Sequence, residues 1–178
     1  MKLGLIAVGF VVALGLSATA CTSDGARSTN GPLAFAGEAP SDAPAVVFLR
    51  ERPNALEPMR VMIEVVARGV GDLHGAAFRL TWDPESVGFV RAESGEKWSK
   101  TALALAKEGT PGQLVVAWTE KGEVGIEASG EAVLGTLVFE SRGRKGTTFA
   151  FKTERSMLVD RKGVSVNVAW TGGSVAAH

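Results

Sequence analysis

The sequence predicts an all-β sandwich, and three observations predict it. From Ala45 onward, apolar residues recur at every second position in run after run, the spacing that turns one face of a strand to a core and the other to water. Tight-turn sequences separate the runs at intervals suited to strands. The composition agrees: glycine is abundant at 22 residues, tyrosine is absent and no long helical heptad occurs. With one cysteine, no disulfide can form within the chain, so an apolar core must hold the domain. A domain of this length can bury about two thirds of its unfolded surface, which suffices without staples.

The first twenty residues are a leader. Lys2 supplies a charge, Leu3 to Leu16 is apolar apart from glycines, and Ser17-Ala18-Thr19-Ala20 are small, the plan of a secretory signal. The run falls short of the roughly 20 apolar residues of a membrane-spanning helix. Cys21 follows directly, and the arrangement resembles the lipobox of bacterial lipoproteins, in which the cysteine is lipidated on sulfur and becomes the new N-terminus. Ala18 stands where that family prefers Leu, with Leu16 slightly further back. The alternative is ordinary cleavage near Ala20, leaving a free thiol. An unpaired thiol in an oxidising compartment is a liability, so lipid attachment at Cys21 is the expectation. It implies an envelope protein anchored in a membrane. The Thr22 that follows, rather than Asp, points to the outer membrane or cell surface.

Residues 21–44 read as a lipidated, disordered tether. They are rich in Ser, Thr, Gly, Ala, Pro and Asp, with Leu33 and Phe35 the only large apolar residues. Such a segment buries too little to offset its ordering entropy. The domain then occupies 45–178. Met59, Val61, Ile63, Val65 and Ala67 share one face of a first strand, with Arg60, Glu64 and Arg68 opposite. Ala76, Phe78, Leu80 and Trp82 repeat the pattern against Arg79 and Thr81, and so do Leu114, Val116 and Trp118. Val133, Leu137 and Phe139 give a longer strand; Phe149 with Phe151, and Val164, Val166 and Val168, give two more. Turns are expected at 69–72, 83–86, 109–112, 143–146 and 160–163, each marked by Gly, Pro or Asp. The stretch from Trp98 to Glu108 holds good helix formers, but Leu103 and Leu105 alternate and a Gly-rich turn follows, so it is read as a strand of a hairpin.

Four segments, in order, resemble the cohesin domain, one of a group of carbohydrate-binding-module-like β-sandwiches. They are Arg60-Val-Met-Ile-Glu-Val-Val-Ala67; Leu73-His-Gly-Ala-Ala-Phe-Arg-Leu-Thr-Trp-Asp-Pro84, similar to the family's Gly-x-x-Phe-x-Leu-x-Tyr-Asp-Pro with Trp82 for Tyr; Val133-Leu-Gly-Thr-Leu-Val-Phe139; and the closing pair Leu158-Val-Asp-Arg-Lys-Gly-Val164 and Trp170-Thr-Gly-Gly-Ser-Val175. The likeness covers about residues 45 to 176. It implies a jelly-roll sandwich of about nine strands in two sheets. It also implies a non-catalytic module that binds dockerins, small calcium-loaded proteins, through a flat sheet face. On this chain that face would include Arg79 and Thr81 on one strand and Val115, Ala117 and Thr119 on another.

Catalysis finds little support. His74 and His178 are the only histidines, too few and too far apart for a zinc site. No Gly-x-Ser-x-Gly elbow or phosphate loop occurs. Glu120, Glu123, Glu127 and Glu131 cluster, but on what reads as a solvated Gly-rich hairpin loop, and Asp160-Arg161-Lys162-Gly163 reads as a tight turn rather than a calcium loop. No metal or other cofactor is expected. Charge gives no nucleic-acid footprint either: 19 Lys and Arg, less Lys2 of the leader, leave 18 basic against 19 acidic residues. Carbohydrate binding is the alternative to a protein partner, since exposed aromatics stack on sugar rings. Trp82 and Trp118 sit in phase with core residues and Trp170 could face either way. Trp98, between Lys97 and Lys100, is the best candidate for an exposed contact. A third class is a structural lipoprotein packed against a larger envelope assembly.

Overall fold

The computed structural model describes residues 34–53, 57, 59–143 and 145–176. Cys21, the leader and the tether up to residue 33 lie outside them. Among the described residues there are twelve strands: β1 (Phe35–Gly37), β2 (Val46–Arg52), β3 (Arg60–Thr81), β4 (Val87–Ser94), β5 (Leu103–Glu108), β6 (Gln113–Thr119), β7 (Ile126–Ser141), β8 (Thr147–Phe151), β9 (Met157–Asp160), β10 (Ser165–Val166), β11 (Ala169–Thr171) and β12 (Gly173–Val175). A 3-10 turn at Thr153–Arg155 is the only helical element among them. The fold is the all-β sandwich the alternation predicts, although the strand count exceeds nine.

Two layers form around one long strand. In the first layer β11, β2, the first half of β3, β7 and β4 lie side by side, with β11 parallel to β2 and the other pairs antiparallel. In the second, β5 pairs with β6 and β6 with the second half of β3, whose far edge takes β9 and then β8. β12 and β1 extend this layer from β8. Thus β3, 22 residues long, belongs to both layers. The 69–72 sequence is therefore not a turn between two strands but a corner within one. Gly69 and Asp72 adopt φ of 74° and 54°, and the register with β7 slips on either side of Val70. Bulges of this kind bend and twist a strand. Gly69 is required twice over, because its φ favours glycine and a Cβ there would run into the Pro44 carbonyl.

The core lies between the layers and is aromatic at its centre. Phe139 of β7 meets Trp82 and Phe149 edge-on at 5.1 and 4.8 Å, and Phe78 meets Trp118 at 5.5 Å. Gly135 of β7 leaves room for the Trp118 ring, which a Cβ would strike. Asp83-Pro84 forms the expected turn: Asp83 accepts from the Glu85 N–H at 2.9 Å and from the Ser86 hydroxyl at 3.0 Å.

Three further expectations are corrected. Phe35 and its neighbours, expected in the tether, form β1 against β12, with Phe35 buried on Phe149. Met59 does not join the core face of its strand and is exposed. The run from Val164 to Val168 yields only the two-residue β10, with Val164 exposed in the preceding turn.

Candidate functional site

The two layers present two outward faces. On the first, apolar side chains are covered and Arg50, Arg60 and Arg91 are paired with carboxylates. Val46, Phe48 and Val66 point outward from β2 and β3, yet are buried beneath Val133 and Ala169, and the Arg68 guanidinium lies 5.9 Å from the Phe48 ring centre. Arg50 bridges Glu64 and Glu131, each at 2.8 Å. The Glu64 hydrogen bond holds its guanidinium above the ordinary range. Arg91 pairs with Glu93 at 2.9 Å, and Arg60 with Glu57.

The second face is open. Cross-strand register arranges it in rows. One row runs Leu103, Thr119, Gly75, Val159 across β5, β6, β3 and β9; the next runs Leu105, Ala117, Ala77, Met157. A third runs Lys107, Val115, Arg79. Facing residues in an antiparallel pair point to the same side, and Ala76, Phe78, Leu80, Val116 and Trp118 are buried on the inner side. The named residues therefore face outward. Leu103, Leu105 and Met157 are 53%, 55% and 49% exposed. Among the described residues six large apolar side chains are exposed, and these three are the ones borne on strands; Met59, Val124 and Val164 stand in turns. Between the two apolar ridges, the small residues Gly75, Ala77, Ala117 and Thr119 floor a shallow depression of about 110 Å³ against Met157 and Val159.

The sequence-predicted residues Arg79, Thr81, Val115, Ala117 and Thr119 thus do share one outward surface. The Thr81 hydroxyl is engaged within the sheet, donating to the Ala150 carbonyl at 3.1 Å. Thr119 donates to the His74 carbonyl at 3.3 Å. Trp98 is a correction. It is buried, and its indole N–H donates to the Leu134 carbonyl at 2.7 Å. A large ring whose single polar atom is satisfied gains by closing the core. Trp82 and Trp118 are also buried, and Trp170 is half-buried, tilted against Phe151 at 4.9 Å.

The glutamate cluster is a solvated loop only in part: Glu123 stands exposed in the loop between β6 and β7. Glu120 is 6% exposed and accepts from the Ser99 N–H at 2.7 Å and its hydroxyl at 2.5 Å, tying down the turn that carries Trp98. Glu127 and Glu131 stand on β7, outside the loop. The Ser129 hydroxyl and N–H hold the Glu127 carboxyl below its ordinary range. His74 lies on β3 rather than in a turn, and its Nδ1 is enclosed without a partner. Among the described residues no group of three or more His, Cys, Asp or Glu could hold a metal ion.

Sequence reasoning missed Leu103, Leu105, Lys107, Met157 and Ala77. Alternation in β5 was visible, but alternation does not say which phase faces the core. The register with β6 turns the leucines out and leaves Ala106 to pack on the core.

No family model matches the chain, and no curated protein matches it. Solved structures do. The second type II cohesin module of the ScaA scaffoldin of Acetivibrio cellulolyticus superposes with a TM-score of 0.63 at 15% identity, over 75% of this chain and 97% of that one. The sixth cohesin of scaffoldin B from the same organism, solved in complex with a Cel5 dockerin, gives 0.59 at 14% identity, over 83% and 99%. A non-cellulosomal cohesin from the archaeon Archaeoglobus fulgidus gives 0.55 at 16%, over 67% and 81%. The chain therefore has the cohesin fold.

Proposed function

We propose that this chain is a non-catalytic protein-binding module that takes a dockerin-type partner on the outward face of β5, β6, β3 and β9. One observation carries the reading: Leu103, Leu105 and Met157 stand uncovered on a strand-built face, while the equivalent apolar residues of the opposite face are covered by the chain itself. Removing a large apolar side chain fully from water is worth roughly 1.5–3 kcal/mol, so these half-exposed residues hold stabilisation that only a partner can supply. Clusters of this kind mark interaction sites on soluble proteins. Structures of the same fold have been solved with dockerins bound, which supports the choice of partner class. The carbohydrate alternative rests on exposed tryptophans, and with Trp98 buried only the half-buried Trp170 remains to serve it.

The test is capture from envelope and secreted fractions of the source organism, with and without calcium, on the immobilised full chain and on its Leu105→Asp variant. The reading expects one stoichiometric protein, retained with calcium and absent from the variant. Equal recovery by both chains overturns the proposed face. Recovery of glycan alone, or of nothing, overturns the partner class.

The envelope location is part of the proposal. A lipid on Cys21 would leave the residues up to Phe35, where β1 begins, as a spacer of up to roughly 50 Å when extended. A Cys21→Ala chain is expected to move from the detergent phase to the aqueous phase on partition. If it stays with the detergent, lipid attachment at that residue is wrong.

A further inference from the structure

The sandwich leaves strand edges open as well as faces. Among the described residues five strands pair on one side only: β1, β4, β5, β10 and β11. An unpaired edge is a template for another strand, and all but β5 are blunted. β1, β10 and β11 are two or three residues long. β4 is longer, but its register with β7 slips between Phe89 and Arg91, and Arg91 is tied to Glu93 along it. Bulges and charges are common guards of an edge. β5 has no such break, and its six residues stay in step with β6 throughout.

Hydrogen-bond phase fixes what that edge offers. The Glu120 N–H donates to the His74 carbonyl at 2.9 Å and the Trp82 N–H to the Gly112 carbonyl at 3.0 Å, so even-numbered positions of β6 bond to β3. The Gly109 N–H donates to the Gln113 carbonyl at 3.0 Å, so odd-numbered positions bond to β5. Bonded and non-bonded pairs alternate in an antiparallel ladder. Leu103, Leu105 and Lys107, opposite Thr119, Ala117 and Val115, are therefore satisfied by β6. The N–H and C=O groups of Ala104, Ala106 and Glu108 point away from it, along the open edge. Ala104 is exposed there, between Leu103 and Leu105. A second β5 laid antiparallel along this edge has few acceptable registers. Centred on Lys107, it sets like charges opposite one another, which is destabilising. Centred on Leu105 or Ala106, it sets a leucine against Lys107. Centred on Ala104, it sets Leu103 of each copy against Leu105 of the other, and Lys107 falls against Thr101.

We propose that this chain self-associates through β5, two copies pairing antiparallel about a two-fold axis at Ala104. The axis stands normal to the sheet, so the joined layers carry both open faces on one side. The contact is isologous and closes at two copies. It goes beyond the partner reading above, since it rests on the strand edge and not on what covers Met157. A single strand pair falls below the roughly 1,200 Å² of a standard interface, so the association is weak and reversible and is measured at high concentration. The test uses the full chain carrying Cys21→Ala, which leaves no other thiol. Sedimentation equilibrium over a rising concentration series should show monomer passing to dimer. Ala104→Pro removes an N–H that faces the edge, a position where strands tolerate proline. It should abolish the dimer while keeping the circular dichroism spectrum and the cooperative melt. Ala104→Cys places a thiol at the axis, where bonded antiparallel pairs stand about 5.5 Å apart at Cα, within disulfide range. In a glutathione redox buffer it should form a linked dimer about tenfold faster or more than Val124→Cys, because pairing raises the local thiol concentration. Val124 is exposed in a loop and reports chance collision. Where the proline variant melts without cooperativity, the two cysteine chains decide alone. A dimer that survives Ala104→Pro, or equal linking rates for the two cysteines, overturns the edge pairing. Monomer at every concentration overturns it as well; slowed hydrogen exchange at the Ala104, Ala106 and Glu108 amides on adding the captured partner would then give the edge to a partner strand. Ala104→Pro leaves Leu105 and Met157 in place, so partner capture by that variant separates failure of this proposal from failure of the binding face.

Discussion

On the outward face of β2, β3 and β7, Phe48 is buried under neighbouring side chains and Arg50 is held by two glutamates. On the outward face of β5, β6, β3 and β9, Leu105 is 55% exposed and Arg79 meets no carboxylate among the described residues. Both faces sit on the same core and are built of alternating strands. The difference lies in what covers them. The first is finished by the chain's own side chains, so its residues serve folding. The second contributes its inner side to the core while its outer side is left open, so its residues can be changed with little effect on folding. A face that can be altered without unfolding the protein is one on which binding can be tested cleanly.

The largest expected effect breaks the comparison altogether, because it strikes what the faces share. Trp118→Ala empties the space beside Gly135 between the layers and should cost about 3–5 kcal/mol, read as a lowered midpoint of denaturant unfolding. A loss under 1 kcal/mol would show that the layers do not depend on that contact. Next comes Leu105→Asp, which should leave unfolding within about 0.5 kcal/mol of the parent, as surface changes do, while weakening partner binding by about a hundredfold or more, as loss of a central apolar anchor does. A destabilised variant would mean that the open face belongs to the fold after all. Glu120→Ala removes the acceptor for two Ser99 bonds and should cost about 1–3 kcal/mol; Trp98 emission should shift to the red as its turn loosens. An unchanged spectrum would disconnect Glu120 from Trp98.

On the finished face, Glu64→Ala should cost no more than about 1 kcal/mol, since Arg50 is partly exposed and such pairs are screened, and should leave binding untouched. Changed binding would extend the site across the sandwich. The smallest effect is electrostatic. The Glu127 carboxyl lies below its usual 4.5, first because of the Ser129 side-chain hydrogen bond. A carboxyl depressed in the folded state adds stability above its unfolded value and loses it as pH falls through the folded value. Ser129→Ala should move the Glu127 titration, followed by carbon-detected NMR, part of the way back up. No movement would remove Ser129 as the cause.

Much of the fold was legible because period two and turn chemistry are local. The runs at Val61 to Ala67, Ala76 to Trp82 and Leu114 to Trp118 became strands with the expected inward faces. The predicted face residues lie together because Arg79 and Val115 are paired across β3 and β6. Trp98 and Glu120 read as exposed in the sequence for one reason: each is flanked by polar, loop-like sequence, and burial there comes from partners 36 and 21 residues away. Phe35 reads as tether in the sequence because its partner strand is β12, at the other end of the chain.

The sequence by itself determined the sandwich class, the inward phase of β3 and β6, the Asp83-Pro84 turn and the expectation of a lipid on Cys21, because each depends on neighbours within a few residues. The tertiary structure decided that β3 passes through a corner at Gly69 into a second layer, that β5 pairs so as to turn its leucines out, and that Trp98 closes the core. Those choices depend on register between distant strands, and a one-residue change of register exchanges the inner and outer faces of a strand.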